Sequence, residues 1–294
     1  FVARPAQGKT TWLDNLAFKV GLKNNVKVLL LDTEMSTMDI QFRMAAALTG
    51  TPMWYLETGN WRRNEQYVAN VRTKLEEAKD YECFHMFVGN KTDDKICSLV
   101  RRWHMTHVKR GNQCVVVYDY VKLTGEKLKN NWAEYQIIGD KIDKFKKLSE
   151  EINAPFLTAM QLNRSGESNN RRAGGFADDS SAIAVSDRLQ WFASFVAIIR
   201  RKTFDEIALD GENFGSHKMI PLKTRFQGRD AAGHNDFLLR RMADGAERMV
   251  GNYINFNIEN FDVEEMGSLR HVIEAHSERY ELNDDNQNQG ENLL

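Results

Sequence analysis

The sequence has few cysteines, no long apolar run and almost no net charge. Its three cysteines, Cys83, Cys97 and Cys114, fall at no metal-ligand spacing and form no even-numbered framework. That argues against a disulfide scaffold or a cysteine zinc site and leaves thiols that are reduced and buried. No apolar run reaches membrane-spanning length, and no secretion signal is present. The expectation is a soluble protein of a reducing cytoplasm, host cytoplasm if the source is viral. A net charge of −1 gives no global attraction to nucleic acid, so any basic surface must be local. There is no internal repeat.

What is present is enough for a sizeable core: 294 residues, 42% of them hydrophobic, in one large domain or two modest ones. Short apolar runs alternate with amphipathic stretches. Strands are expected at Val26–Asp32, Phe84–Val88, Cys114–Asp119 and Pro155–Gln161. Helices are expected at 36–48, Glu65–Lys79, Asp93–Lys109 and Glu134–Ile152. Further strand-like runs lie at Ser194–Arg200, Met219–Thr224, Phe237–Met242 and Met249–Phe256. The strand–helix–strand order predicts an α/β fold with a mostly parallel central sheet flanked by helices. The later runs lack long intervening helices, which predicts an antiparallel edge extension. Residues 163–181 read as a long mobile loop and 281–294 as a disordered acidic tail. Between core and tail, 257–280 is expected to be a helical extension.

The chemistry begins at the first residues. Ala3-Arg4-Pro5-Ala6-Gln7-Gly8-Lys9-Thr10, followed by Thr11, is a phosphate-binding loop with alanine where the pattern wants its first glycine. Backbone amides in such a loop cradle a β-phosphate. Lys9 brings charge to the β/γ oxygens, and the Thr10 hydroxyl can ligate Mg²⁺. The run from Thr11 reads as a helix whose positive end adds to anion binding. The alternative is a glycine turn capping an ordinary helix. The strand that must precede the loop is reduced to Phe1-Val2, so the chain reads as a fragment lacking its N-terminal part.

A nucleotidase needs further groups. Asp119 closes the Val-Val-Val-Tyr strand and fits a Mg²⁺-holding acid. Glu34, just past the strand ending at Asp32, fits a carboxylate that activates water, with Asp32 as its rival. Gln161, at the end of another strand, fits a γ-phosphate sensor, with an ordinary strand-end amide as the alternative. Lys223 and Arg225 share one strand face by period-two alternation and could supply transition-state charge; the alternative is a solvated edge strand.

Five motifs occur in order: Ala-Arg-Pro-Ala-Gln-Gly-Lys-Thr-Thr, Asp-Thr-Glu-Met-Ser, Val-Val-Val-Tyr-Asp-Tyr, Met-Gln-Leu-Asn-Arg and Lys-Thr-Arg-Phe-Gln-Gly. Together they resemble the RecA-like P-loop NTPase core of replicative hexameric helicases of the DnaB type, bacteriophage members included, over residues 1–256. The resemblance implies an ATP- and Mg²⁺-dependent motor that draws single-stranded DNA through a homo-hexameric ring, 5′ to 3′, and unwinds duplex DNA. Primase and a helicase loader would be partners. It gives Lys9 and Thr10 to the triphosphate and metal, Glu34 to water activation, Asp119 to the metal and Gln161 to coupling. Lys223 and Arg225 would reach the nucleotide of the adjacent subunit. DNA-contacting candidates are Lys122, Lys127 and Lys129 in one loop and Arg164, Arg171, Arg172 and Gly174 in another. The stretch Asp178–Asp187 lacks the family's Arg-Glu-Ser pattern. Two other readings compete: a RecA-type recombinase, which forms open filaments, and an inactive RecA-like structural subunit.

Overall fold

Alternation along two buried strands sets the layers of the molecule. The computed structural model describes residues 1–109, 111–123, 134–161, 191–225 and 236–277. In β2 (Lys27–Asp32) and β4 (Cys114–Val121), nearly every residue is buried on both faces of the sheet. Val28, Leu30, Val115 and Val117 face one way and pack under Leu13, Ala17 and Phe18 of α1 (Lys9–Asn24) and Ile40 of α2 (Thr37–Thr49). Leu29, Leu31, Val116 and Tyr118 face the other way. They pack under Ile96 and Trp103 of α5 (Asp93–Trp103) and Phe145 and Leu148 of α6 (Glu134–Glu151). A parallel sheet covered on both faces needs this continuous apolar sequence.

Short α3 (Met53–Glu57) and α4 (Glu65–Glu77) follow α2 in the chain. The remaining strands are β1 (Val2–Ala3), β3 (Cys83–Phe87), β5 (Phe156–Gln161), β6 (Phe195–Arg201), β7 (His217–Thr224), β10 (Ile254–Glu259) and β11 (Asp262–Ser268). The sheet order is β11-β10-β7-β6-β1-β5-β4-β2-β3. From β6 to β3 the neighbours run parallel, and β7, β10 and β11 continue the sheet antiparallel. This is the RecA-like arrangement with the expected antiparallel extension.

Four details depart from expectation. The 249–256 run is two strands: β9 (Glu247–Gly251) pairs with β8 (Phe237–Arg241) in a separate hairpin, and β10 joins the main sheet. The break falls just after Asn252, whose amide donates to Asp236 O as the last rung of the β8–β9 pairing. The expected helix to Lys109 runs to Val108, but its last turn over His104–Val108 is widened, and Lys109 leaves it at φ 65°. The expected helical extension over 257–280 is instead a β-hairpin followed by helix from 269: Asn260 and Phe261 have φ of 46° and 64°, which reverses the chain so that β11 pairs with β10. A further helix, α7 (Phe204–Asp210), enters through a capping box between Thr203 and Glu206 that the strand reading passed over. The loop at 163–181 and the tail at 281–294 lie outside the described residues.

Candidate functional site

The phosphate loop leaves the sheet from its central strand. Ala3 is the last residue of β1, fully buried, opposite Gln161 in register. Its φ is not positive; the left-handed positions of the loop are Ala6 (58°) and Gly8 (80°). The glycine missing from the pattern is therefore not needed here for conformation, and the Ala3 methyl packs with Trp12, Ala197 and Ile199. Gly8 is different. A β-carbon there would stand 3.0 Å from Ile258 Cδ1, at a φ that side chains avoid. Arg4 O accepts from Gln7 N at 3.4 Å, Pro5 and Ala6 are exposed at the tip, and Gln7 Oε1 accepts from Arg201 N at 2.8 Å. Gly8 also caps α1 without any side-chain bond, so the first-turn amides, from Lys9, Thr10 and Thr11 onward, face outward as anion donors.

The neighbouring strand ends bring acids and cations to this loop. Asp32, the last residue of β2, and Asp119, two residues before the end of β4, are register partners. Lys9 Nζ lies 3.3 Å from Asp119 Oδ1 and 3.2 Å above the Tyr120 ring. Burial lowers the Lys9 pKa, and Asp119 opposes that shift. Asp119 O accepts from both the amide and the hydroxyl of Thr33 at 3.0 Å. Asp32 turns inward: Oδ1 accepts from the amides of Glu34, at 2.6 Å, and Met35, while Oδ2 is buried without a hydrogen-bond partner. Burial raises its pKa.

Glu34 points the other way. Its side chain is 55% exposed and takes a 2.6 Å ion pair from Lys122. The hydrogen bond from Lys122 is the main cause holding its pKa below the usual value; the Tyr120 hydroxyl also bonds it. Tyr120 itself is pushed up to about 12, first by burial and then by Glu34. The cluster can therefore hold an anion at Lys9 and the helix end, a cation between Thr10 and the acids, and a carboxylate facing the opening. This donor set fits a nucleotide triphosphate with Mg²⁺: oxygen ligands for the hard cation, amides and ammonium for phosphate.

Gln161 is exposed at the end of β5, beside Ala3, and so joins the site. Lys223 and Arg225 do not. β7 runs against β6, and Arg225 N donates to Ser194 O, four residues before Ile198, the residue level with Val2. At about 3.3 Å per residue, Arg225 sits roughly 13 Å below that level and Lys223, level with Val196, roughly 7 Å below it, towards the end of the sheet away from the loop. The Arg225 guanidinium donates to Trp191 O. Of the DNA candidates, Lys122 lies in the site; Lys127, Lys129, Arg164, Arg171, Arg172 and Gly174 lie outside the described residues.

One group of polar side chains had no sequence signal. Arg43 on α2 donates to Asp14 Oδ2 at 2.7 Å and to Thr11 Oγ1 at 3.1 Å, bridging to α1. Burial pushes Asp14 up to about 7, against the pull of Arg43. Nothing local links residues on different helices; only their packing on one sheet face does. Among the described residues no helix is long and apolar enough to cross a membrane.

A family model for the DnaB-like helicase C terminal domain matches residues 1–226, and the chain belongs to that family. A probable plasmid replicative DNA helicase of Chlamydia psittaci is 24% identical over 205 residues, covering 69% of this chain and 42% of the relative. Replicative DNA helicase DnaB of Haemophilus influenzae is 23% identical over 230 residues, covering 76% and 46%. The chain thus spans less than half the length of these curated relatives. Among solved structures, a DnaB-like replicative helicase, whose structure concerns its interactions with primase, superposes with a TM-score of 0.66 at 18% identity, covering 89% of this chain and 55% of that one. A separately solved ATPase domain gives 0.67 at 18% identity, covering 89% and 82%. These last two likenesses establish the fold.

Proposed function

We propose that this member of the DnaB-like helicase C-terminal domain family is the ATP-hydrolysing motor of a replicative DNA helicase. It would act in a homo-hexameric ring, moving along single-stranded DNA and separating the duplex. The observation that carries the reading is the gathering of Lys9, Thr10, Glu34, Asp119 and Gln161 around one phosphate loop at the C-terminal end of a parallel sheet, where such folds bind ligands.

Bound Mg²⁺ would neutralise developing charge on the phosphate oxygens. Thr10 and Asp119 are the residues to hold it, and Lys9 with the first-turn amides of α1 would hold the β- and γ-phosphates. Glu34 would take the proton of the attacking water. Its exposure and its freedom from the turn favour it over Asp32, whose inner oxygen is spent on two backbone amides. Gln161, beside Ala3, is placed to read the γ-phosphate. Lys223 and Arg225 lie too far from the loop of their own chain to serve it, which suits a finger supplied to the next subunit and requires an oligomer. Primase, a loader and a cytoplasmic setting follow from the family resemblance.

The test is nucleotide hydrolysis with and without single-stranded DNA, strand separation on forked substrates, and mass in the same buffer. Glu34→Gln should bind ATP yet lose about 10²- to 10⁴-fold in turnover, the usual worth of a general base. Retained hydrolysis would hand the role to Asp32. Long filaments on DNA without unwinding would favour a recombinase, and absence of hydrolysis in the parent would favour a structural subunit.

A further inference from the structure

The β10–β11 hairpin lies beyond residue 226, where the family match ends, yet its tip reaches the two helices that flank the phosphate site. Asn260 Nδ2 donates to Gly50 O, at the C-terminal cap of α2, at 3.1 Å. On the α1 side, Phe261 O accepts from Asn15 Nδ2, and Val263 N donates back to Asn15 Oδ1 at 3.0 Å. Lys19 adds a 2.7 Å ion pair to Asp262. The Phe261 ring lies 4.4 Å from the Arg43 guanidinium, the same group that holds Asp14 and Thr11. Phe261 also packs against the small buried cluster of Ala46 on α2, Leu56 and Val71. One turn therefore touches both helices.

The consequence concerns the reacting groups. Lys9 and Thr10 begin α1, and Glu34 stands two residues before Ser36, whose capping box with Asp39 fixes the start of α2. A rotation of α2 against α1 changes the separation of Glu34 from the phosphate loop. We infer that the Asn260–Phe261 turn, acting through Arg43, is a positioning device that sets Glu34 against Lys9 and Thr10; this rests on the hydrolase reading above. Arg43 suits the task because a flat guanidinium can face an aromatic ring while its edge donates to two acceptors. None of these groups touches the reacting atoms, so they act on geometry alone.

The experiment compares Phe261→Ala, Phe261→Tyr and Lys9→Ala with the parent, measuring kcat and KM for ATP hydrolysis, binding of a fluorescent ATP analogue, and melting temperature. A misplacement near 1 Å costs about 10²-fold, so Phe261→Ala should lose about 10- to 100-fold in kcat. Analogue binding should stay within about threefold, and Phe261→Tyr, which keeps the ring, should recover turnover. The inference is overturned if Phe261→Ala keeps kcat within about twofold, or if binding and kcat fall together and Phe261→Tyr does not restore them. Lys9→Ala separates the two claims: it should abolish hydrolysis whatever Phe261 does, and if it does not, the hydrolase reading itself fails.

Discussion

Glu206→Gln probes the ion network that anchors α7 to the strands beside the phosphate loop. Glu206 takes a bidentate pair from Arg200, at 2.6 and 2.7 Å, a 2.7 Å ion pair from Lys218 and a 2.8 Å bond from Thr203 N. Its side chain is 27% exposed, and those of Arg200 and Lys218 are 9% and 8% exposed. Burial alone would raise the carboxyl's pKa, but the hydrogen bond from Arg200 and the charge of Lys218 outweigh it and hold the group at about 2, against 4.5. That difference corresponds to about 3 kcal/mol. Because the folded pKa is depressed, the stabilisation is complete above the unfolded value near 4.5 and is lost as pH falls towards about 2. Glutamine keeps the size but removes the negative charge that Arg200 and Lys218 face at this position. Denaturant titration at pH 7 should show the variant less stable by about 3 kcal/mol, and the gap should close as pH falls towards 2. Equal stability at pH 7, or a gap that persists unchanged in acid, would refute the reasoning. The network also bears on the site, since Arg201, next to Arg200, binds Gln7 of the phosphate loop.

Two other variants address the chemistry. Lys122→Gln removes the cation paired with half-exposed Glu34; such a screened pair is worth about 0.2–1 kcal/mol, so the Glu34 pKa should rise by less than about one unit. The acid limb of the hydrolysis pH profile should move upward by that amount, and a limb that does not move would remove Glu34 as the group it reports. Arg225→Ala should leave nucleotide binding by a single subunit intact but poison mixed rings. Activity falling in simple proportion to the mutant fraction would contradict a finger acting between subunits.

Much of the sheet was legible because it depends on near neighbours. The Val28–Leu31 and Val115–Tyr118 runs are apolar on both faces and could only be central strands. The missing antiparallel detail was harder. The run 249–256 looks continuous, yet Asn252 and Tyr253 divide it between two sheets, and Asn260-Phe261 reverses a stretch that carries helix-like composition. Those breaks depend on what the chain must meet elsewhere. The phosphate loop was legible down to Lys9 and Thr10, and Ala3 can stand in the first glycine's place because β1 ends there without a positive φ.

By itself, then, the sequence determined which residues could do chemistry: a loop that binds phosphate, acids at strand ends, and a pair of cations sharing one face. Those properties are local, set by residue type and by spacings of two to five positions. Tertiary structure alone decided where they meet. Strand direction carried Lys223 and Arg225 to the far end of the sheet, and no local pattern encodes that direction. Packing likewise joined Asn15 to Phe261 across 246 positions and Arg43 to Asp14 across 29, because surfaces distant in the chain become neighbours only when two helices share a sheet face with a hairpin.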